Sequence, residues 1–402
     1  MMKVSPRRNL IYVFLLILCY NFRKITLKFV SYIFGFTDSI IFTTLMFLGE
    51  FFTGLIIKQH QKKYITKNKI LNPVLTLVKL KMEKDKLDSN WKIYSIYFLL
   101  AYADFIEFTI SVLYVPKFQG ISGSLETRLC GLVIIFTSIM YYYILKYPLL
   151  RHQIFSLIVV GICLAIIIMS ETYFQKDNIH MSASNYLLLV LLISLELFFL
   201  SVLDSGDKYL MEFNSIEPCQ ILLYEGFFGA ILSFIGFIED RPISKIKNIY
   251  DKFSAGYFVL FIFLLFLYLV LSGFKNIYRL HTNKSYSPMA QTLANYALNP
   301  LYMIYDVITG NDFIFKGEVN YYYFSINLVL SIIISFTGFV LNEFIVLFCC
   351  GLEYNTYRQI SERAEILDSK VCELASISDE EISNKNKKQF NNEIFNSTFN
   401  EL

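Results

Sequence analysis

Long apolar runs recur along almost the whole chain, and short polar segments separate them. Each run has about 20 residues, enough for a helix rising 1.5 Å per residue to cross a hydrocarbon core of roughly 30 Å. The run FVLFIFLLFLYLVLSGF at 258–274 lacks the polar and apolar alternation of a β-barrel strand. The pattern therefore predicts ten membrane-spanning helices, at 9–30, 38–58, 92–114, 121–145, 152–170, 185–207, 219–238, 255–274, 286–309 and 323–349.

The composition favours the same class of protein. The chain has 402 residues, of which 55% are hydrophobic and 17% charged, and its mean hydropathy is +0.49. These values exclude an ordinary soluble domain, so we expect an all-α integral membrane protein. Residues 1–20 also fit a signal peptide, with a basic start and an apolar core, although no small-x-small cleavage site follows.

Loop lysines and arginines indicate the orientation, because they concentrate on the cytoplasmic side of a membrane. They cluster at both termini, in the loop 58–92 and after spans 4, 6 and 8, where Lys275 and Arg279 are assigned to a loop. Both termini are therefore expected in the cytoplasm. The segment 58–92 is either a solvated basic loop or an amphipathic surface helix, and 351–402 is expected to be a polar, largely disordered tail.

The sequence offers no recognisable catalytic or metal site. The seven cysteines fall mostly inside spans without metal-ligand spacing, and the four histidines have no helical partner at i+3 or i+4. Neither a phosphate-binding loop nor a nucleophile elbow occurs. We therefore expect no enzyme activity, no cofactor and no metal. The net charge is only +3, and the basic residues lie in loops where they set the orientation in the membrane, so no nucleic-acid partner is expected.

Ionisable residues interrupt several spans, where a charge at the bilayer centre costs about 2.5–3.5 kcal/mol. Glu50 lies within FLGEFFTG in span 2, and Glu225 lies in the similar setting LYEGFFG in span 7. Such residues usually face a cavity or a partner and mark a substrate or ion path. The other ionisable residues in the spans are Asp104, Glu107, Glu126, Arg128, Glu196, Asp204, Asp306 and Glu343. For Glu107, Asp204 and Asp306, which lie near span ends, the alternative is an interfacial position, and for Glu343 it is a structural pairing with hydroxyl groups of a neighbouring helix.

Two predicted helix starts place backbone donors where an anionic group could bind. A run rich in small residues, 118–124, lies at the start of span 4, and Ser287 followed by Pro288 opens span 9 as an N-cap and first helical residue. The glutamates of spans 2 and 7 and these starts occupy matching positions in two five-helix halves, 1–175 and 176–350. Since five is odd, the halves cross in opposite senses, which predicts a five-plus-five inverted repeat.

Four segments also resemble a known family. They are MFLGEF at 46–51, GLVIIFT at 131–137, Pro218 followed by YEGFFG at 224–229, and the Ser-Pro start of span 9. In their order and spacing the chain resembles the drug/metabolite transporter superfamily, and within it the subfamily-F branch of the solute carrier 35 (nucleotide-sugar-transporter-like) family. The resemblance implies ten helices in an inverted repeat and the exchange or export of small organic solutes without ATP hydrolysis.

The chain also departs from that family. Thr127 and Cys130 stand where a glutamine and an arginine are usual, Arg128 is displaced, and Asn295 stands where a more charged pattern is common. The chemistry of the cavity is therefore expected to differ, and the resemblance does not identify the substrate.

These features predict a secondary active transporter or exchanger of a small polar solute, anionic or nucleotide-linked among the options, working by alternating access. The alternative is a transport-inactive membrane scaffold or trafficking protein with the same fold. The expected partners are the solute and the lipid bilayer, with a homodimer left open, and the expected location is an intracellular endomembrane of the Golgi, endosome or lysosome. The candidate substrate-binding or coupling residues are Glu50, Glu225, Ser124, Thr127, Arg128, Ser287, Gln291 and Asn295.

Overall fold

The computed structural model is a bundle of α-helices with one minimal β ladder. The residues that it describes are 6–36, 38–71, 91–115, 125, 128–146, 149–175, 183–240, 242–286, 288, 299–308, 314–315 and 318–342. The helices are α1 Pro6–Phe34, α2 Ser39–Leu71, α3 Trp91–Thr109, α4 Leu132–Leu145, α5 Arg151–Gln175, α6 Ala183–Glu212, α7 Pro218–Asp240, α8 Pro242–Lys252, α9 Ala255–Ser285, α10 Asn299–Ile308 and α11 Tyr321–Leu341. A single π-helical turn, Ile110–Tyr114, follows α3, and β1 Ile314–Phe315 pairs antiparallel with β2 Glu318–Val319.

Six helices of the described part are long and apolar enough to cross a membrane: α2, α5, α6, α7, α9 and α11. The apolar α4 has 14 residues. Although α3 has 19 residues, Lys92, Asp104 and Glu107 interrupt it. The prediction of a helical multi-pass membrane protein is confirmed at this level.

Several predicted boundaries are wrong. The chain remains helical to Ser285 in α9, past the predicted end at 274, and to Leu71 in α2, past the predicted end at 58. Lys275 and Arg279 therefore belong to a helix and not to a loop. The physical reason is that Arg279 is neutralised by carboxylates from other helices, so its charge does not force the chain into solvent.

Helices α2, α7 and α9 approach one another through glycines. A methyl group at Gly54 of α2 would lie 2.8 Å from the backbone nitrogen of Leu223 in α7, and one at Gly226 of α7 would lie 2.8 Å from the carbonyl oxygen of Phe47 in α2. Gly273 of α9 likewise packs against the backbone of Gly49 in α2. These contacts bring α2 close enough to both helices for short polar side chains to meet.

The remaining helices pack around this centre. α1 lies along α9, α3 lies along α6 and α7, α4 lies along α6, and α5 lies along α11. The short α8 joins α7 to α9 with Ile249 buried in the apolar cluster of α1, α2 and α9. Lys245 of α8 forms an ion pair of 2.7 Å with Asp38, the residue that precedes α2. The packing therefore closes this end of the bundle with an amphipathic segment.

Candidate functional site

Five buried carboxyl groups gather in one region of the bundle, and we call them the carboxyl cluster. They come from α2, α3, α6 and α7, and each residue is at most 6% exposed. Buried carboxylates are costly unless they are paired, bonded or neutralised, so such a cluster in an apolar bundle points to function. Its members are Glu50, Asp104, Asp204, Asp207 and Glu225.

Arg279 of α9 lies at the centre of this cluster and is 2% exposed. Its Nη1 lies 3.1 Å from Oδ1 of Asp204, and its Nη2 lies 3.0 Å from Oδ2 of Asp207. The same Nη2 lies 3.6 Å from Oε2 of Glu225. One guanidinium group thus joins α6, α7 and α9, which suits its planar, delocalised charge.

Glu50 reaches α9 three residues before Arg279. The side-chain amide of Asn276 donates a hydrogen bond to Oε1 of Glu50. In the described part of the chain, Oε2 of Glu50 and Oδ2 of Asp104 accept no hydrogen bond. Because Asn276 and Arg279 are separated by three residues, they lie on one face of α9. That face therefore receives carboxylates from both α2 and α7.

Lys208 closes the end of the site nearest the α6–α7 turn. Its ammonium group donates to the carbonyl oxygens of Asn283, at 2.9 Å, and of Lys284 and Tyr286, each at 3.3 Å. It also pairs with Glu212 at 3.0 Å. The terminal carbonyls of α9, which lack helical partners, are thus held by a charge from α6.

Arg128 takes part in a second buried contact. Its guanidinium group pairs with Glu171 of α5 and hydrogen-bonds to the hydroxyl of Tyr323 in α11, which itself donates to Glu171. The ring of Tyr323 lies 5.0 Å from the guanidinium carbon. Arg128 is 3% exposed. In this state it binds a carboxylate of the protein itself, and a solute anion would have to compete with Glu171.

The predicted residues therefore divide into three groups. Glu50 and Glu225 are buried and meet neighbouring residues of α9, while Arg128 lies in its own ion pair. The others lie outside the described residues: Ser124, Thr127, Ser287, Gln291 and Asn295.

Sequence reasoning missed four residues of the site. Arg279 and Asn276 followed an apolar run and were taken for part of a loop, and Asp207 and Lys208 stood at and just after the predicted end of span 6. The spacing held a usable signal, because Asp204 and Asp207 are three apart, as are Asn276 and Arg279. Polar pairs at this spacing lie on one helix face, so helices continuing past 207 and 274 would present both pairs inward.

Comparison with known proteins adds little about function. No protein family profile and no curated protein matches this chain. A solved structure titled only "Crystal structure of protein" has a similar fold, with a TM-score of 0.50 and 14% sequence identity. The alignment covers 84% of this chain and 99% of that one. At this identity the likeness concerns the fold alone.

Proposed function

We propose that the chain is a secondary active transporter or exchanger that moves a small polar organic solute by alternating access. The carboxyl cluster around Arg279 carries the proposal. Five buried acids in apolar helices would be a heavy cost to stability without a role, since each charge at a bilayer centre costs about 2.5–3.5 kcal/mol. Groups of this kind mark substrate or ion paths in membrane proteins.

The pattern of helix packing supports an inverted repeat with halves at 1–175 and 176–350. We equate α1 to α5 with α6, α7, α9, α10 and α11 in that order. Under this exchange, the α1–α9 contact becomes the α6–α3 contact, and α2–α9 becomes α7–α3. The pairs α2–α7 and α5–α11 map onto themselves. In this arrangement Glu50 and Glu225 are equivalent residues at the pseudo-twofold axis, where transporters of this kind bind substrate.

The charge of the cluster bears on the kind of solute. Carboxyl groups outnumber the single guanidinium that they surround, so this region suits a proton or a cationic group better than an anion. The anionic or nucleotide-linked solute predicted from the sequence would bind at Arg128 or at the helix starts near 124 and 287. Binding of such a solute would then be coupled electrostatically to the charge of the carboxyl cluster.

Transport into proteoliposomes tests this proposal. Purified protein would be reconstituted and offered a panel of organic cations, nucleotide sugars and other polar metabolites, with Glu50→Gln and Glu225→Gln variants in parallel. Asp251→Asn is the control, because Asp251 is an exposed carboxylate of α8 that lies outside the carboxyl cluster. We expect the control to transport a panel member and the two variants to lose that transport.

The same assay separates the transporter from the alternative, a transport-inactive scaffold or trafficking protein. Folded wild-type protein that moves no member of the panel would favour the scaffold. Equal uptake by wild type and by both variants would remove the role assigned to Glu50 and Glu225. We further propose that the protein lies in an intracellular endomembrane with both termini in the cytoplasm, which protease protection of terminal tags would test.

A further inference from the structure

Two members of the carboxyl cluster, Asp207 of α6 and Glu225 of α7, meet at one nitrogen atom. Oδ2 of Asp207 lies 3.0 Å and Oε2 of Glu225 lies 3.6 Å from Nη2 of Arg279, and the two side chains also interact with each other. The two residues are 0% and 1% exposed. A carboxylate is only an acceptor, so two ionised carboxylates cannot hydrogen-bond to each other. One proton bound between them would make one of the two carboxyl groups a donor to the other.

The unsatisfied atoms of the pair indicate the same ligand. In the described part of the chain, no donor reaches Oδ1 of Asp207 or Oε1 of Glu225. Oδ1 of Asn276 and Oγ of Ser272, which precede Arg279 on α9, are buried and accept no hydrogen bond there either. Buried acceptors without donors are costly, and a bound proton supplies the donor that is missing.

The surrounding charges do not replace that proton. Arg279 is shared with Asp204, so it cannot neutralise two further carboxylates. The other ionisable groups that interact with the pair are Asp104 and Tyr97 from α3 and Glu50 from α2, and Lys275 of α9 interacts with Glu50. Among the described side chains, no three His, Cys, Asp or Glu groups are arranged to hold a metal ion. A proton is therefore the ligand that the geometry fits best.

We propose that Asp207 and Glu225 share one exchangeable proton beside the guanidinium group of Arg279. We further propose that this proton is the ion whose movement is coupled to transport of the solute. The coupling role rests on the proposed function, whereas proton binding itself does not. Loss of the proton would leave two adjacent negative charges that drive α6 and α7 apart. Proton occupancy would thus control the packing of the helices on which the site is built.

The position of the pair fits exchange with one side of the membrane. Asp207 is five residues from the end of α6, Glu225 is seven from the start of α7, and Arg279 is six from the end of α9. At 1.5 Å per residue, all three lie about 8–10 Å from the same end of the bundle. This end is cytoplasmic in the topology predicted from the loop charges, so the proton would exchange with the cytoplasm.

Infrared difference spectroscopy during a pH titration of the protein in lipid tests proton binding without any solute. We expect wild type to show a protonated carboxyl band between about pH 6 and pH 8, where an ordinary Asp or Glu is ionised. Asp207→Asn and Glu225→Gln should each remove that band, and the exposed control Asp251→Asn should leave it unchanged. A wild-type spectrum without such a band, or a band that persists in both variants, would overturn the proposal.

Thermal stability gives a second readout. If the native state holds a proton that the unfolded state has released, the melting temperature falls as the pH rises through the loss of that proton. We expect this fall in wild type and in Asp251→Asn, and a flat profile in Glu225→Gln, whose amide stays neutral. If an amide variant does not fold, Glu225→Asp keeps a carboxyl group at altered geometry. The infrared band of the protonated carboxyl group must then shift in frequency in Glu225→Asp, and an unshifted band would refute the assignment.

Discussion

Arg279 offers the sharpest test of how the site is held together. Replacing it by glutamine removes the guanidinium that bridges Asp204, Asp207 and Glu225, all of which are buried. A pair of unit charges about 4 Å apart attracts by about 4 kcal/mol at an effective dielectric constant of 20, and desolvation offsets part of this. Loss of one partner from a buried ion pair typically costs about 3–5 kcal/mol. We expect Arg279→Gln to lower the free energy of unfolding by that amount.

The measurement is denaturant unfolding in mixed micelles, with Arg151→Gln as the control, because Arg151 is exposed at the start of α5. The control should change stability by less than about 0.5 kcal/mol. Without Arg279 the native carboxyl groups retain protons more strongly than the unfolded chain does. The difference in unfolding free energy between wild type and Arg279→Gln should therefore shrink as the pH falls. A difference below about 1 kcal/mol at neutral pH, or one that grows on acidification, would refute the reasoning.

Three further predictions concern the packing around the site. Gly226→Ala should destabilise the protein by about 1–3 kcal/mol in the same unfolding assay, because its methyl group would meet the backbone of α2, whereas Gly161→Ala, with open space around it, should not destabilise it. Arg128→Gln should cost about 3–5 kcal/mol by leaving Glu171 without its buried counter-charge, and an unchanged unfolding midpoint would contradict that role. Lys208→Met removes the donor to the carbonyls of Asn283, Lys284 and Tyr286 at the C-terminal end of α9, so amide hydrogen exchange at 283–286 should accelerate while exchange in the middle of α9 stays as in wild type.

The hydrophobic pattern of the sequence was sufficient to predict much of the fold. Apolar runs of membrane-spanning length identified the regions of the helices, because a bilayer imposes the same requirement on every span. The settings of Glu50 and Glu225 next to glycines also indicated close helix contact, and both residues lie at the α2–α7–α9 crossing. The local sequence was sufficient to predict this contact, since glycines beside a glutamate within a span favour close packing of helices.

The partners of those glutamates could not be predicted in the same way. A lysine or arginine after an apolar run usually marks the end of a span, and Arg279 followed this rule in sequence while breaking it in structure. Its burial depends on acids from α6 and α7, which are more than 50 residues away along the chain. The amphipathic α8 was also missed, although Ile243, Ile246 and Ile249 recur at helical spacing.

The most direct test of the whole account is solute flux in proteoliposomes under an imposed pH gradient. We predict that wild-type protein and Asp251→Asn accumulate a member of the solute panel when the gradient is present, and that Glu225→Gln no longer responds to the gradient. The account would be contradicted if folded wild-type protein moved no solute, or if Glu225→Gln accumulated the solute under the gradient as wild type does.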